Sequence, residues 1–360
     1  MLFGHVDSGK STIAGQLLRQ LNSEYANTFN DCRHKLKPND PRMYSQLLDI
    51  YTIETEKGIT VEYTTECITY VDKTQTYMFQ LNDTPGHIEF IDEFIKCLFS
   101  NIYIGVLIIS AKPGEYEAGI NGGTTKEYLN LIRCSDITHL IVLINKIDLC
   151  DAQTRYNYIY DDLHNYIKTL KFKYLKYIPV SGYKNIGLIP QNNKVNEVNK
   201  ASNVNKANKV NEVNKASNVN EVTTTFIDEL CNISRLNPDN TITLPIKQLD
   251  SSDVSNQSMI HSKNKPIVLK IKILAAHNII TCGYECVSFV STNEIIKPMN
   301  VTFVNNLKVK KDKTFIQKPF CKVNDVIIID CIFENDITIS KKTKFIFRDR
   351  ALTIGFGVII

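Results

Sequence analysis

One stretch constrains this chain more than any other: Gly4-His5-Val6-Asp7-Ser8-Gly9-Lys10-Ser11-Thr12, directly after the apolar Met1-Leu2-Phe3. It fits the pattern G-x-x-x-x-G-K-[ST], in which backbone N–H groups line a concave loop and a helix begins at the lysine. Such a loop needs a strand before it and a helix after it, packed on a shared sheet. Three further segments follow in order: Asp83-Thr84-Pro85-Gly86-His87, Asn145-Lys146-Ile147-Asp148 and Pro179-Val180-Ser181-Gly182. Alone, the loop pattern is a frequent coincidence. Four ordered segments imply one nucleotide-handling site.

The surrounding texture agrees. Residues 1–190 alternate strand-like runs (Val61–Tyr70, Thr76–Asn82, Ile102–Ala111, His139–Asn145, Tyr174–Ser181) with helical patterns (Ser11–Leu21, Ile88–Leu98, Thr124–Cys134, Tyr156–Leu170). That alternation predicts an α/β domain with a doubly wound, mostly parallel sheet. Every motif falls where a strand ends, which is where open parallel sheets bind ligands.

From Gln191 the texture changes. Lys194–Asn205 reads K-V-N-E-V-N-K-A-S-N-V-N, and Lys209–Asn220 repeats it letter for letter. With no aromatic residue and little apolar mass, the tract cannot offset its ordering entropy, so a disordered insert over 191–222 is expected. An amphipathic helix over Thr225–Ser234 then closes a first domain of residues 1–235. From Pro266 the chain is rich in β-branched residues in short alternating runs: Ile267–Leu274, Cys286–Thr292, Asn300–Asn306, Val326–Phe333, Phe345–Arg348 and Ala351–Val358. These predict an antiparallel barrel over 266–360.

A length of 360 residues accommodates two or three domains, and a net charge of +4 permits an RNA-rich partner without requiring one. No apolar run reaches the ~18 residues of a membrane span, so no membrane partner is expected. Ten scattered cysteines are expected to be reduced thiols in the cytosol. Cys282-x-x-x-Cys286 lacks a second ligand pair and reads as buried strand rather than as a zinc site.

Each motif has a chemical role. Asp7, Ser8, Gly9, Lys10, Ser11 and Thr12 are the candidate phosphate-binding residues, with the Lys10 ammonium reaching the β- and γ-phosphates. Ser11, Thr60 and, through water, Asp83 are the candidate Mg²⁺ holders; Thr60 ends the polar stretch that starts at Asn22, as a nucleotide-ordered loop would. Pro85-Gly86 forces a turn that brings the Gly86 N–H toward the γ-phosphate. His87, the candidate catalytic residue, follows at once and can orient a water. In Asn145-Lys146-x-Asp148, the Asp148 carboxylate can accept two hydrogen bonds from guanine N1 and N2, a donor pair that adenine lacks. Lys146 can lie along the base, and Ser181, Gly182 and Tyr183 can offer N–H groups to guanine O6. GTP and GDP with Mg²⁺ are the implied ligands.

G-H-V-D-S-G-K-S-T, Gly58-Ile59-Thr60, D-T-P-G-H and N-K-I-D together resemble the translational GTPases of the elongation factor 1-alpha superfamily. The resemblance implies a GTPase acting on the ribosome, with Val6 and Ile59 as an apolar gate beside His87. Leu107–Glu117, Pro179–Tyr183, Ile279–Tyr284 and Phe347-Arg348-Asp349-Arg350 are similar to the release-factor GTPase subunit of eukaryotes. That implies a carrier for a stop-codon-reading partner bound through residues 266–360, with no sequence-specific nucleic acid. Lys57-Gly58-Ile59-Thr60 fits the elongation-factor form better, so rescue and elongation factors remain open. So does a GTP-dependent scaffold with little hydrolysis.

The chain departs from the family in two ways. Only Met1-Leu2-Phe3 precede the loop where a longer strand is usual, as an upstream start or a truncation would produce. Thr241–Ile246 resembles the opening strand of the family's middle barrel, yet Ser262–Pro266 already resembles the entry to the last one. Residues 236–265 are too few to close a barrel, so the middle barrel is expected to be missing or vestigial, which argues against an aminoacyl-tRNA carrier.

Overall fold

The computed structural model describes residues 1–22, 24–26, 28–29, 43–44, 47–48, 62–72, 75–100, 102–121, 124–135, 137–190, 224–236, 265–276, 279–290, 298–335, 337 and 343–360. Thr60, the 191–222 repeat and the whole 237–264 stretch lie outside them, and with them the disorder and middle-barrel expectations. The chain divides into two compact units.

The first unit is built on a six-stranded sheet of order β2-β3-β1-β4-β5-β6, with β1 Leu2–Phe3, β2 Thr64–Val71, β3 Thr76–Asp83, β4 Ile104–Ser110, β5 His139–Asn145 and β6 Tyr174–Pro179. All pairings are parallel except the β2–β3 hairpin, so the sheet is mixed and mostly parallel. β4 and β5 are buried nearly end to end, which explains why they read as unbroken apolar runs rather than alternating ones. The central β1 has only two residues. It holds its place because Leu2 and Phe3 are fully buried, Met1 O accepts from Val106 N at 2.9 Å and Leu2 O accepts from Thr84 Oγ1 at 2.7 Å.

Helices α1 Lys10–Leu21, α2 Ile91–Leu98, α3 Glu115–Asn121, α4 Thr124–Arg133, α5 Ala152–Thr169 and α6 Phe226–Leu236 follow the predicted pattern with three differences. A 3₁₀ turn over Ile88–Phe90 precedes α2. Asp151 starts α5 four residues earlier than its apolar period does, and Thr154 Oγ1 donates to its carboxylate at 2.6 Å. The sequence reading missed α3, whose seven residues are too few to show a helical period. The core gathers Leu2, Ile13, Leu17, Val106, Ile108, Ile141, Phe226 and Leu230.

The second unit contains residues 94–101 and 126–136 together with the C-terminal strands. Those strands are β7 Ile267–Ile273, β8 Ile280–Thr281, β9 Tyr284–Val290, β10 Pro298–Lys311, β11 Thr314–Gln317, β12 Phe320–Cys321, β13 Val326–Phe333, β14 Lys344–Asp349 and β15 Leu352–Ile359. Six of them close an antiparallel barrel, β10-β13-β7-β15-β14-β9 and back to β10, with β11 added outside on β10. Phe303, Phe333, Phe345 and Phe347 fill its core. β10 runs past its expected end at Asn306, through two register shifts, into a hairpin with β11. Cys286 is buried in β9, whereas Cys282 is exposed in the turn before it rather than in a strand. Among the described residues no helix is long and apolar enough to cross a membrane, and no cluster of three or more His, Cys, Asp or Glu could hold a metal.

Candidate functional site

The predicted residues that are described, all but Thr60, converge at the C-terminal ends of β1, β3, β5 and β6. After β1 the chain turns through Gly4 (φ 149°), Asp7 (φ 60°) and Gly9 (φ 94°). A side chain at Gly4 would run into Ile108 O at 2.2 Å, so this corner tolerates glycine alone. The turn delivers Ser8, Gly9 and Lys10 to the N-terminus of α1, where unpaired N–H groups and the helix dipole favour an anion. Ser8 Oγ is buried and lacks a hydrogen-bond partner among the described residues. Asp7 is exposed, and Ser11 and Thr12 are half-buried on the first turn.

Lys10 is 7% exposed and donates to His5 O at 3.0 Å. Burial lowers its pKa to about 8, against the pull of Asp83 and Asp7. Gly86 closes on the same point: a Cβ there would stand 2.3 Å from Lys10 Nζ and 3.1 Å from Gly4 O. Asp83 is buried at the end of β3, paired in register with Leu2 of β1. A buried cation beside a glycine-lined loop and a helix N-terminus fits a phosphate chain. The Ser11 hydroxyl and Asp83 carboxylate are the hard oxygen donors that Mg²⁺ takes.

His87 is 41% exposed at the head of the 3₁₀ turn. Its Nδ1 accepts from Glu89 N at 3.4 Å and lies 3.5 Å from the Glu89 carboxylate. A second histidine, His5, was not singled out by sequence. Its Nδ1 meets Thr124 Oγ1 at 2.5 Å, and burial, then the nearby Lys10, lowers its pKa.

The base-side motifs are wired together. Asn145, buried at the end of β5, donates to Ser8 O at 2.8 Å and accepts from Gly182 N at 2.9 Å. It thus braces the phosphate loop against the Ser181-Gly182-Tyr183 loop. Gly9 must be small here, since a Cβ would meet the Asn145 amide nitrogen at 2.3 Å. Ser181 is pinned by paired backbone bonds with Ile186, and Tyr183 packs edge-on against Tyr44 at 5.8 Å. Asp148 stands 3.4 Å from Lys184 Nζ.

Lys146 adopts a left-handed backbone (φ 64°), and its Nζ donates to Glu115 Oε2 at 2.7 Å. Ser110 donates to the same oxygen at 2.7 Å, and Lys112 to Oε1 at 2.9 Å. Burial pushes the Glu115 pKa up, but the bonds from Lys146, Lys112 and Ser110 outweigh it and hold it at about 2. Glu115 was missed as a site residue. The visible signal was Gly114-Glu115-Tyr116-Glu117 directly after a strand end.

Residues 1–238 match the family model described as the elongation factor Tu GTP binding domain, and residues 261–360 that of the elongation factor Tu C-terminal domain. Elongation factor 1-alpha of Ignicoccus hospitalis is 33% identical over 198 residues, 52% of this chain and 43% of that protein. Its counterpart from Hyperthermus butylicus is 34% identical over 198 residues, 52% and 44% respectively. The match thus spans less than half the length of these relatives. Among solved structures, the S. cerevisiae Ski7 GTPase-like domain bound to GTP shares the fold, with a TM-score of 0.70 at 14% identity over 100% of this chain and 96% of that one.

Proposed function

Taking as premise that the chain belongs to the elongation factor Tu family of GTPases, we propose that it is a translation factor of release-factor type. In this reading it binds GTP and hydrolyses it on the ribosome. The observation that carries the reading is the meeting of Lys10, Gly86 and the Asn145 brace at one end of the sheet, which joins a phosphate cradle to a guanine-reading loop.

In this reading the backbone of Asp7–Lys10 and the N-terminus of α1 hold the phosphates, and the buried Lys10 ammonium neutralises charge on the β- and γ-oxygens. Asp148 accepts from guanine, Lys146 lies along the base, and the Tyr183 N–H faces its O6, whereas the Ser181 and Gly182 N–H groups, also expected there, are taken by Ile186 O and Asn145 Oδ1. Ser11, Thr60 and, through water, Asp83 hold Mg²⁺, which when bound neutralises charge on the phosphates. His87 orients the attacking water once the ribosome aligns it. Most of the acceleration is then positioning, so turnover stays slow until the ribosome engages.

The stop-codon-reading partner is assigned to residues 266–360, on the likeness of Ile279–Tyr284 and Phe347–Arg350 to the release-factor subunit. The brevity of the 239–260 stretch between the two family matches supports a carrier without a working middle barrel, and the nine free cysteines among the described residues fit the expected cytosolic setting. The test is His87→Ala with purified ribosomes. Ribosome-stimulated phosphate release should be lost while GTP affinity stays within about twofold; equal turnover would reject the role of His87. Co-purification with the stop-codon-reading factor, rather than its rescue paralogue, tests the partner.

A further inference from the structure

The barrel carries a basic face that the nucleotide chemistry does not use. Strand parity sets its composition. β7 buries Leu269, Ile271 and Ile273 and turns Lys270 and Lys272 outward; β13 buries Ile327 and Ile329 and turns Val326 and Ile328 outward. Past its register shifts, β10 buries Leu307 and Val309 and leaves Lys308 and Lys310 exposed. The registers align these outward positions. Lys308 lies opposite Ile328, which lies opposite Lys270, and Val326 lies opposite Lys272.

On the outer side of β10, the edge strand β11 sets Gln317 opposite Lys308 and Phe315 opposite Lys310. Four lysines therefore frame a half-buried Phe315 ring and two aliphatic side chains. Residues 308–322 hold six lysines against one acid, Asp312. Lys272 Nζ donates to Asn324 O, and its pKa is lowered by burial and by Arg133 against the pull of Asp325, an acid at this edge whose carboxylate accepts from Lys322 N at 2.8 Å. Asp330, the acid at the far end of the row, is engaged by Asn306 Nδ2 at 2.6 Å.

This pattern selects a ligand class. The patch has lysines and no arginine among its strands, so it presents point charges, which hold phosphates without the fixed geometry of a planar fork. Alternate residues on one strand face stand ~7 Å apart, comparable with the step between phosphates of an extended single strand. An accessible ring among cations is how proteins hold unpaired nucleic-acid bases without reading sequence.

We propose that the outer face of β7, β13, β10 and β11 binds single-stranded RNA, with lysines on its phosphates and Phe315 stacked on a base. The choice of RNA rests on the translational reading above; the anion site itself does not.

The experiment uses the full chain and a fluorescent 20-nucleotide poly(U) RNA, followed by anisotropy from 50 to 200 mM salt, with GTP affinity measured on every variant. Wild type should show a log–log salt slope of roughly −0.7 per phosphate contacted, so Lys308→Gln with Lys310→Gln should flatten it by about 1.4. Phe315→Ala should weaken binding about tenfold and leave the slope alone. Three results would overturn the proposal: no salt-dependent binding by wild type, variants of normal GTP affinity that bind RNA like wild type, or poly-glutamate of equal charge bound as tightly as the RNA. A chain that binds poly(U) but gains no GTPase stimulation from ribosomes would sink the proposed function and leave this surface standing.

Discussion

Two buried cations, one in each unit, have opposite surroundings. Arg348 of β14, 3% exposed, lies 2.7 Å from Glu127 Oε1, and that oxygen also accepts from Thr353 N at 2.7 Å and from Thr353 Oγ1 at 2.5 Å. Lys10 is buried almost as deeply but has no carboxylate within ion-pair distance among the described residues. A charge whose partners are all supplied by the fold holds structure together. A charge left short of partners is kept for something that arrives from outside.

The largest expected effect breaks the satisfied pair. Glu127→Ala strands Arg348 in the barrel unit and should lower unfolding free energy by about 3–5 kcal/mol, measured by urea denaturation. GTP affinity at 4 °C should stay within about twofold. Replacing the pair together, Glu127→Leu with Arg348→Met, should recover only part of the loss: it leaves no orphan charge, but the buried Thr353 N–H and Oγ1 lose their acceptor.

Lys10→Met applies the converse test. Losing charge-assisted bonds worth about 1.5–3 kcal/mol should weaken GTP binding roughly 10- to 150-fold by calorimetry. Stability without nucleotide should be unchanged or higher, since the substitution removes a desolvated charge. If Lys10→Met destabilised the apo protein as much as Glu127→Ala does, the contrast between the two cations would fail.

pH sharpens the same contrast more gently. With its pKa lowered to about 8, Lys10 loses its proton in the folded apo protein well before it would in the unfolded chain. The unfolded state then binds more protons above pH 8, so this group's destabilisation is full below 8 and fades as pH rises through that window. Nucleotide reverses the shift by supplying negative charge. Binding therefore takes up a proton, and GTP affinity should be about tenfold weaker at pH 9 than at pH 7, a dependence absent from Lys10→Met.

What could be read in advance follows the same division. Gly4 and Gly9 mark positions where a left-handed backbone leaves no room for a side chain, and such demands are local, so the phosphate loop was visible as a string. The apolar runs of β4 and β5 were equally plain. Glu127 and Arg348 lie 221 positions apart, and no local pattern announces a pair that only tertiary packing creates. The β10–β11 hairpin stayed hidden because Lys308–Lys313 is nearly all charged and reads as solvated loop; what makes it strand is the alternate burial of Leu307 and Val309. The segment Phe347-Arg348-Asp349-Arg350 stood out by resemblance, with no hint that its first arginine is the buried one.

Glu115 tests how far the base-side wiring matters, and its effect should be the smallest. The carboxylate holds Lys146 Nζ at 2.7 Å and is itself held by Ser110 and Lys112, so its role is to fix the direction of the lysine stem against which a base would lie. Glu115→Gln keeps the shape and an acceptor but removes the charge. GDP and GTP should both bind about 3- to 10-fold more weakly, since a charged hydrogen bond becomes a neutral one. The loss should appear in the dissociation rate, because the site still forms but holds the base less firmly. Ribosome-stimulated turnover at saturating GTP should be unchanged, since Glu115 touches neither His87 nor the phosphate loop. A drop in saturated turnover instead of affinity would mean that this network serves the phosphate side, and that Lys146 is not where the base is gripped.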